Sequence, residues 1–260
     1  MDLYIVENKE EIARLGYQVI MSVVENKNEV TLGLSTGASP EGIYELFRQH
    51  KPDVSHVTVV NLDEYIGLPA DHDQSYAYFM NEKLFKHLNF KETHIPNGMN
   101  EDQAAECARY DAILAENVPD LQLLGIGTNA HIAFNEPGTS FDLTTHAATL
   151  GTETIEANSR FFESLDDVPT TAYTMGIKTI MQAKEILLIA SGESKAEAIK
   201  AMLEGKVTEE VPASILKKHP NTIAIIDKAA ASLIDPALLE QNSGGCCGGS
   251  GGGCGGCGSH

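Results

Sequence analysis

The densest chemistry in the chain lies in Gly125-Ile126-Gly127-Thr128-Asn129-Ala130-His131-Ile132-Ala133-Phe134-Asn135-Glu136-Pro137. The two glycines allow a tight turn or the close approach of a ligand. His131 and Glu136 stand five residues apart. A helix would splay them, whereas a turn after His131 brings them together. A carboxylate against one ring nitrogen selects the tautomer and strengthens the other nitrogen as a base. A lone histidine can equally be a structural residue. Its neighbours here, the glycines, Asn129 and Glu136, favour a site. No G-x-S-x-G elbow occurs, which argues against a serine nucleophile.

Three further places carry reactive side chains. Asp63-Glu64 follows an apolar run. The pair can be a helix cap or a solvated loop, or one carboxylate can act as a base whose partial desolvation raises its pKa. Ser35-Thr36-Gly37-Ala38-Ser39 is a small-residue loop with three hydroxyls, ahead of Pro40. Its backbone N–H groups can hold phosphate oxygens, or it can be an ordinary turn. It lacks the Lys-Ser/Thr of a nucleotide P-loop and the three-glycine dinucleotide fingerprint. Arg160, in Asn158-Ser159-Arg160-Phe161-Phe162, and Lys195, after Ser191-Gly192-Glu193-Ser194, are cations beside loops. They suit a phosphate clamp or a surface ion pair. His72, His87, His94, His146 and His219 are scattered, and no spacing suggests metal ligands.

These residues need elements to hold them. Val30–Leu34, Val57–Val60, Leu121–Gly127, Ile186–Ala190 and Thr222–Ile226 read as strands, most of them near-continuous apolar runs. Such runs suit parallel strands covered on both faces. Helices are expected over 6–27, from Ser39-Pro40 through Phe47, and over 74–86, 101–116, 171–182 and 195–203, with a short one at 215–218. Ser39 is expected to cap its helix. Residues 144–150 suit a further strand. The alternation predicts a single three-layer α/β/α sandwich with an open, mostly parallel, Rossmann-like sheet spanning 1–242. Ligands then sit outside the carboxyl ends of the strands, which selects loops 35–39, 61–66, 127–137 and 191–195.

Composition sets the outer limits. Of 260 residues, 18 are Lys or Arg and 37 are Asp or Glu, a formal net charge of -19. A surface of that sign repels a phosphate backbone, so no nucleic-acid partner is expected. A small anion still needs only a local cluster of donors. No run of 18 apolar residues suggests a membrane partner, and the acidic start does not resemble a secretory leader, so a cytoplasmic protein is expected. Four of the five cysteines and ten of the 23 glycines fall in the last stretch, GGCCGGSGGGCGGCGSH. Residues 243–260 therefore read as a tail that cannot pack, either an appendage foreign to the fold or a soft-metal ligand set. Cys107 is the one cysteine before it, so no disulfide framework is possible in the body.

Several stretches together resemble the glucosamine-6-phosphate deaminase family over roughly 1–235. They are Leu34 through Pro40, Asn61-Leu62-Asp63-Glu64-Tyr65-Ile66-Gly67-Leu68, Ser75-Tyr76 with Phe79-Met80, Gly125 through Pro137, Asn158 through Phe162, and Ser191 through Lys195. The resemblance implies conversion of glucosamine 6-phosphate and water to fructose 6-phosphate and ammonium, without metal or redox cofactor. It implies a phosphosugar as the partner and a monomer or small homo-oligomer. Asp63 resembles the base that moves a proton between C2 and C1. His131 resembles the ring-opening group, and Glu136 its orienting partner. Thr36, Gly37, Ala38, Ser39, Arg160 and Lys195 resemble the phosphate site.

Two departures within the family bear on behaviour. One branch has an aspartate where this chain has Asn129, and asparagine, which can position a group, cannot share a proton at neutral pH. The allosteric branch has basic residues just after the histidine loop, where this chain has Thr145-His146-Ala147-Ala148-Thr149. The resemblance thus implies the shorter, non-allosteric branch. Two rival readings are a sugar-phosphate lactonase of similar fold and a non-catalytic sugar-phosphate sensor. Asn135-Glu136-Pro137 with Asp63-Glu64 argues against the first. The joint presence of Asp63 and His131 argues against the second.

Overall fold

In the computed structural model, residues 1–159, 162, 164 and 168–238 are described. Arg160 and the Gly/Cys-rich tail lie outside them. The strands are β1 (Asp2–Val6), β2 (Val30–Leu34), β3 (Val57–Asn61), β4 (Asp63–Tyr65), β5 (Glu92–His94), β6 (Leu121–Leu124), β7 (His146–Thr149), β8 (Thr171–Thr174), β9 (Ile186–Ala190) and β10 (Thr222–Asp227). The helices are α1 (Lys9–Glu25), α2 (Glu41–His50), α3 (Tyr76–Lys83), α4 (Gln103–Glu116), α5 (Thr152–Ser159), α6 (Ile177–Ile180) and α7 (Ala196–Glu204).

Seven strands form one parallel sheet in the order β1-β10-β9-β6-β2-β3-β5. Alternation within the apolar strands builds two cores, because successive side chains point to opposite faces. On one face Leu32, Val59, Leu123, Leu187 and Ile189 pack against Ile20 of α1, Ile43 and Phe47 of α2 and Met80 of α3. On the other, Val60, Leu124, Leu188 and Ile226 pack against Tyr110 of α4, Ile177 of α6 and Ile199 of α7. The fold is therefore a three-layer α/β/α sandwich with a parallel sheet, as the alternation of elements requires.

The chain runs outward from β2 through β3 to β5, then returns to β6 on the other side of β2. The order reverses between β2 and β6, so the loops leaving those strands part and leave a crevice. Gly33 on β2 and Gln122 on β6 pair there. The buried Gln122 amide lies where a Gly33 Cβ would be, 2.0 Å from Oε1, so any side chain at 33 would collide.

Several local expectations are corrected. The first helix begins at Lys9, capped by the Asn8 side chain, and Asp2–Val6 is instead an edge strand paired with β10. Ser39 does not cap α2: Pro40 holds that position with no side-chain cap. The third helix is shorter, Tyr76–Lys83 from a Ser75 cap, followed by a 3-10 turn at Phe85–His87. Residues 171–182 are not one helix. Thr171–Thr174 is β8, the centre of a small antiparallel sheet between β4 and β7, and only Ile177–Ile180 is helical. Ala172 and Tyr173 are fully buried there, and strand pairing on both sides overrides the local pattern. Two short strands, β4 and β5, had no distinct sequence signal.

Candidate active site

The four loops selected by strand polarity converge on a cleft of about 1120 Å³, lined by Ser35–Ser39, Leu62-Asp63, Gly125–Thr128, His131 and Ser191 with Lys195. The loops after β2 and β6 face each other: a Cβ on Gly125 would stand 3.6 Å from Ser39 Oγ. Gly37 has φ +83°, a left-handed conformation that suits glycine. The loop then enters α2, whose first residues Glu41 and Gly42 also line the cleft. Tyr76, at the start of α3, also lines the cleft beside Thr36, with its hydroxyl 3.4 Å from Tyr65 Oη.

Asp63 begins β4 and is 6% exposed. Burial, with the Glu64 charge beside it, pushes its carboxyl up to about 8. Glu64 faces away from this role. Its Oε1 accepts the N–H groups of Tyr65 at 2.8 Å and Tyr76 at 2.9 Å, and its Oε2 accepts that of Ala77 at 2.8 Å. Burial raises Glu64 to about 7, while those three backbone donors pull downward. The two adjacent carboxylates are thus unlike: Glu64 ties β4 to the first turn of α3, and Asp63 is left for the cleft.

The Gly125–Pro137 segment folds as a sequence of tight turns. Ala130 and Ala133 have φ +66° and +51°. Left-handed alanines cost roughly 1–3 kcal/mol each and persist where the surroundings enforce them. Here buried Ile132 and Phe134, and Asn135 donating to Ile132 O at 3.0 Å and Met175 O at 2.9 Å, hold the turn. The expected turn after His131 is therefore present, and it brings His131 Nδ1 to 3.6 Å from Glu136 Oε2. That is ion-pair reach, slightly longer than a hydrogen bond. The imidazole packs over Gly127: a Cβ there would fall 2.3–2.6 Å from three ring atoms.

Asn129 joins both ends of this pair. Its Nδ2 donates to Glu136 Oε2 at 2.7 Å, and its Oδ1 accepts the backbone N–H of His131 at 3.2 Å. Thr154 Oγ1 donates to Glu136 Oε1 at 2.5 Å. Burial alone would raise Glu136, but contacts from His131, Thr154 and Asn129 bring it down to about 2. These contacts favour the charged carboxylate.

Lys195 ends a 3-10 turn after β9 and lines the cleft. The turn is anchored by Asp227, at the end of β10, which accepts from Ser191 Oγ at 2.5 Å and Gly192 N at 3.0 Å. Thus Thr36, Gly37, Ala38, Ser39, Asp63, Asn129, His131, Glu136 and Lys195 all lie in or against one site. Sequence reasoning missed Thr154, Asp227 and the place of Tyr76 beside Thr36, and no local motif marks them. Among the described residues no group of three or more His, Cys, Asp or Glu is placed to hold a metal ion.

Residues 7–224 match the family model for glucosamine-6-phosphate isomerases and 6-phosphogluconolactonases. The chain belongs to that family. A glucosamine-6-phosphate deaminase of Bacillus cytotoxicus is 52% identical over 242 residues, covering 93% of this chain and 92% of the relative. A deaminase of Bacillus cereus is likewise 52% identical over 242 residues, with the same coverage of both chains. Among solved structures, a monomeric glucosamine-6-phosphate deaminase is 44% identical, with a TM-score of 0.87 over 90% of this chain and 100% of its own. The 6-phosphogluconolactonase of Trypanosoma brucei superposes with a TM-score of 0.75 over 90% of this chain and 98% of its own, at 16% identity, which is a likeness of fold alone.

Proposed function

We propose that this chain is a glucosamine-6-phosphate deaminase, converting glucosamine 6-phosphate and water to fructose 6-phosphate and ammonium. The observation that carries the reading is one cleft lined by the Asp63 carboxyl and the His131 imidazole, with the Glu136 carboxylate 3.6 Å from that ring's Nδ1. Identity of 52% to deaminases across nearly the whole chain supports it.

In the proposed mechanism the closed sugar hides its aldehyde. His131, oriented by Glu136 and Asn129, transfers a proton between the C1 hydroxyl and the ring oxygen, and the ring opens. The C2 hydrogen is then acidic beside C1=O. Asp63 removes it, giving an enolamine, and returns a proton at C1 to give a 2-imino sugar. Water adds at C2 and ammonia leaves. A cationic amine arriving beside Asp63 favours its ionised form, which offsets the effect of burial. Thr36–Ser39 and Lys195 hold the phosphate; Arg160 is assigned to the same group on sequence alone.

We also infer a monomer without an activator site, in keeping with the monomeric solved relative. Residues 1–242 form one folding unit, a reading supported by the pairing of β1 with β10. A cytoplasmic location fits the free Cys107, and among the described residues no helix is long and apolar enough to cross a membrane. Purified protein should release ammonium and fructose 6-phosphate in equal amounts from glucosamine 6-phosphate. Acid release from a phosphogluconolactone without ammonium release would replace this reading with the lactonase one.

A further inference from the structure

The contacts that orient Glu136 do not come from one segment. Asn129 and His131, which meet Oε2, belong to the loop that carries Glu136 itself. Oε1 is held from elsewhere, by Thr154 Oγ1 at 2.5 Å and by Gly151 N at 3.3 Å. Thr154 lies in the first turn of α5, is 5% exposed and lines the cleft. A Cβ on Gly151 would come within 3.3–3.4 Å of all three carboxyl atoms, so the backbone itself closes on the group.

We propose that Thr154 is a positioning residue for ring opening: its hydroxyl, with the Gly151 N–H, pins Glu136 Oε1 so that Oε2 stays aimed at His131 Nδ1. The proposal rests on the assignment of His131 and Glu136 above. The terminal torsion of a glutamate is broad, so contacts on one oxygen leave the carboxylate free to swing. The 3.6 Å approach to His131 is too long to fix that torsion by itself. Two donors on the opposite oxygen remove the freedom. Thr154 thereby acts on the imidazole through Glu136, and a hydroxyl is what the role requires, not the volume of the side chain.

Thr154→Val keeps the branched shape and removes the donor, while Thr154→Ser keeps the donor. Ammonium release from glucosamine 6-phosphate is measured for both and for the wild type. Binding of the acyclic 2-amino-2-deoxyglucitol 6-phosphate, which has no ring to open, is measured alongside. We expect kcat of Thr154→Val to fall by roughly 10–100-fold, a part of the ~10²–10⁴-fold that a positioned acid–base group supplies. KM and the affinity for the acyclic compound should stay near wild type, Tm should fall only modestly because a partly buried carboxylate loses one donor, and Thr154→Ser should recover most of kcat. Wild-type turnover in Thr154→Val overturns the proposal. So does weakened binding of the acyclic compound in step with turnover, or a serine variant as slow as the valine one. If Thr154→Val does not fold, Thr154→Ala stands in its place, and failure of both to fold makes the residue structural and also overturns the proposal. A wild type that releases no ammonium would instead sink the activity reading itself.

Discussion

Asp63 lines the cleft, Glu136 stands against His131 beside it, and the two end up with opposite acidities, at about 8 and about 2. Asp63 is buried and Glu136 only half-buried, so burial pushes harder on Asp63. The donors aimed at each widen the difference. Glu136 receives Asn129, Thr154 and Gly151 and faces His131. Asp63 instead has the Glu64 charge next to it. A carboxylate with many donors is a fixed anion that orients its neighbour; one that lacks them can take up and release a proton. The two also act oppositely on stability. Asp63 binds a proton more readily folded than unfolded, so between about 4 and 8 its share of stability falls as pH rises. Glu136 binds one less readily when folded, so its share rises with pH between about 2 and 4.5.

The largest test breaks the comparison on the Asp63 side. Asp63→Asn should lower turnover by roughly 10³-fold or more, abolish solvent exchange of the C2 hydrogen and leave phosphosugar binding measurable. The same variant should melt higher than wild type near pH 8, since it no longer forces a buried carboxylate to ionise. Normal C2 exchange in it would remove Asp63 from the role.

Next comes the histidine side. Gly127→Ala places a methyl where the His131 ring lies, so kcat should drop by about 10²-fold while the acyclic amino-sugar alcohol phosphate still binds. Full activity in this variant would mean that the imidazole position is not what catalysis needs.

A smaller change sharpens the contrast between adjacent carboxylates. Glu64→Gln removes the like charge beside Asp63, whose other close titratable groups are Tyr76 and Tyr110. The acid limb of kcat/KM against pH should move to lower pH by about one unit. Movement to higher pH would show that Glu64 does not set the acidity of Asp63. The smallest effect is expected far from both groups. Truncation after Asn242 removes only the Gly/Cys-rich segment and should change neither Tm nor turnover under reducing conditions. A marked loss of activity would restore the metal-site reading of that tail.

Much of this was written in local sequence. The apolar runs at 30–34, 57–61, 186–190 and 222–227 carry their strand character in themselves, because a strand buried on both faces must be apolar throughout. Strand polarity then selects the four functional loops, and Asp63, His131 and Glu136 are the reactive types within them. The small antiparallel sheet was not legible. Thr171–Thr174 is short, and it becomes a strand only because β4 and β7 flank it.

The residue types, the parallel architecture and the His131–Glu136 turn follow from short-range patterns: apolar periodicity, glycine placement and spacing. The acidities do not. Asp63 and Glu64 are neighbours of like chemistry, yet one lines the cleft while the other is bound by the start of α3, twelve residues on. Glu136 owes its low pKa in part to Thr154, eighteen residues away, and Lys195 owes its seat to Asp227, whose carboxylate holds Ser191 from 36 residues downstream. Desolvation and hydrogen bonding act through space and depend on which segments the sheet order brings together. Spacing along the chain therefore identifies the groups, and the packing between segments sets the proton affinity with which each one works.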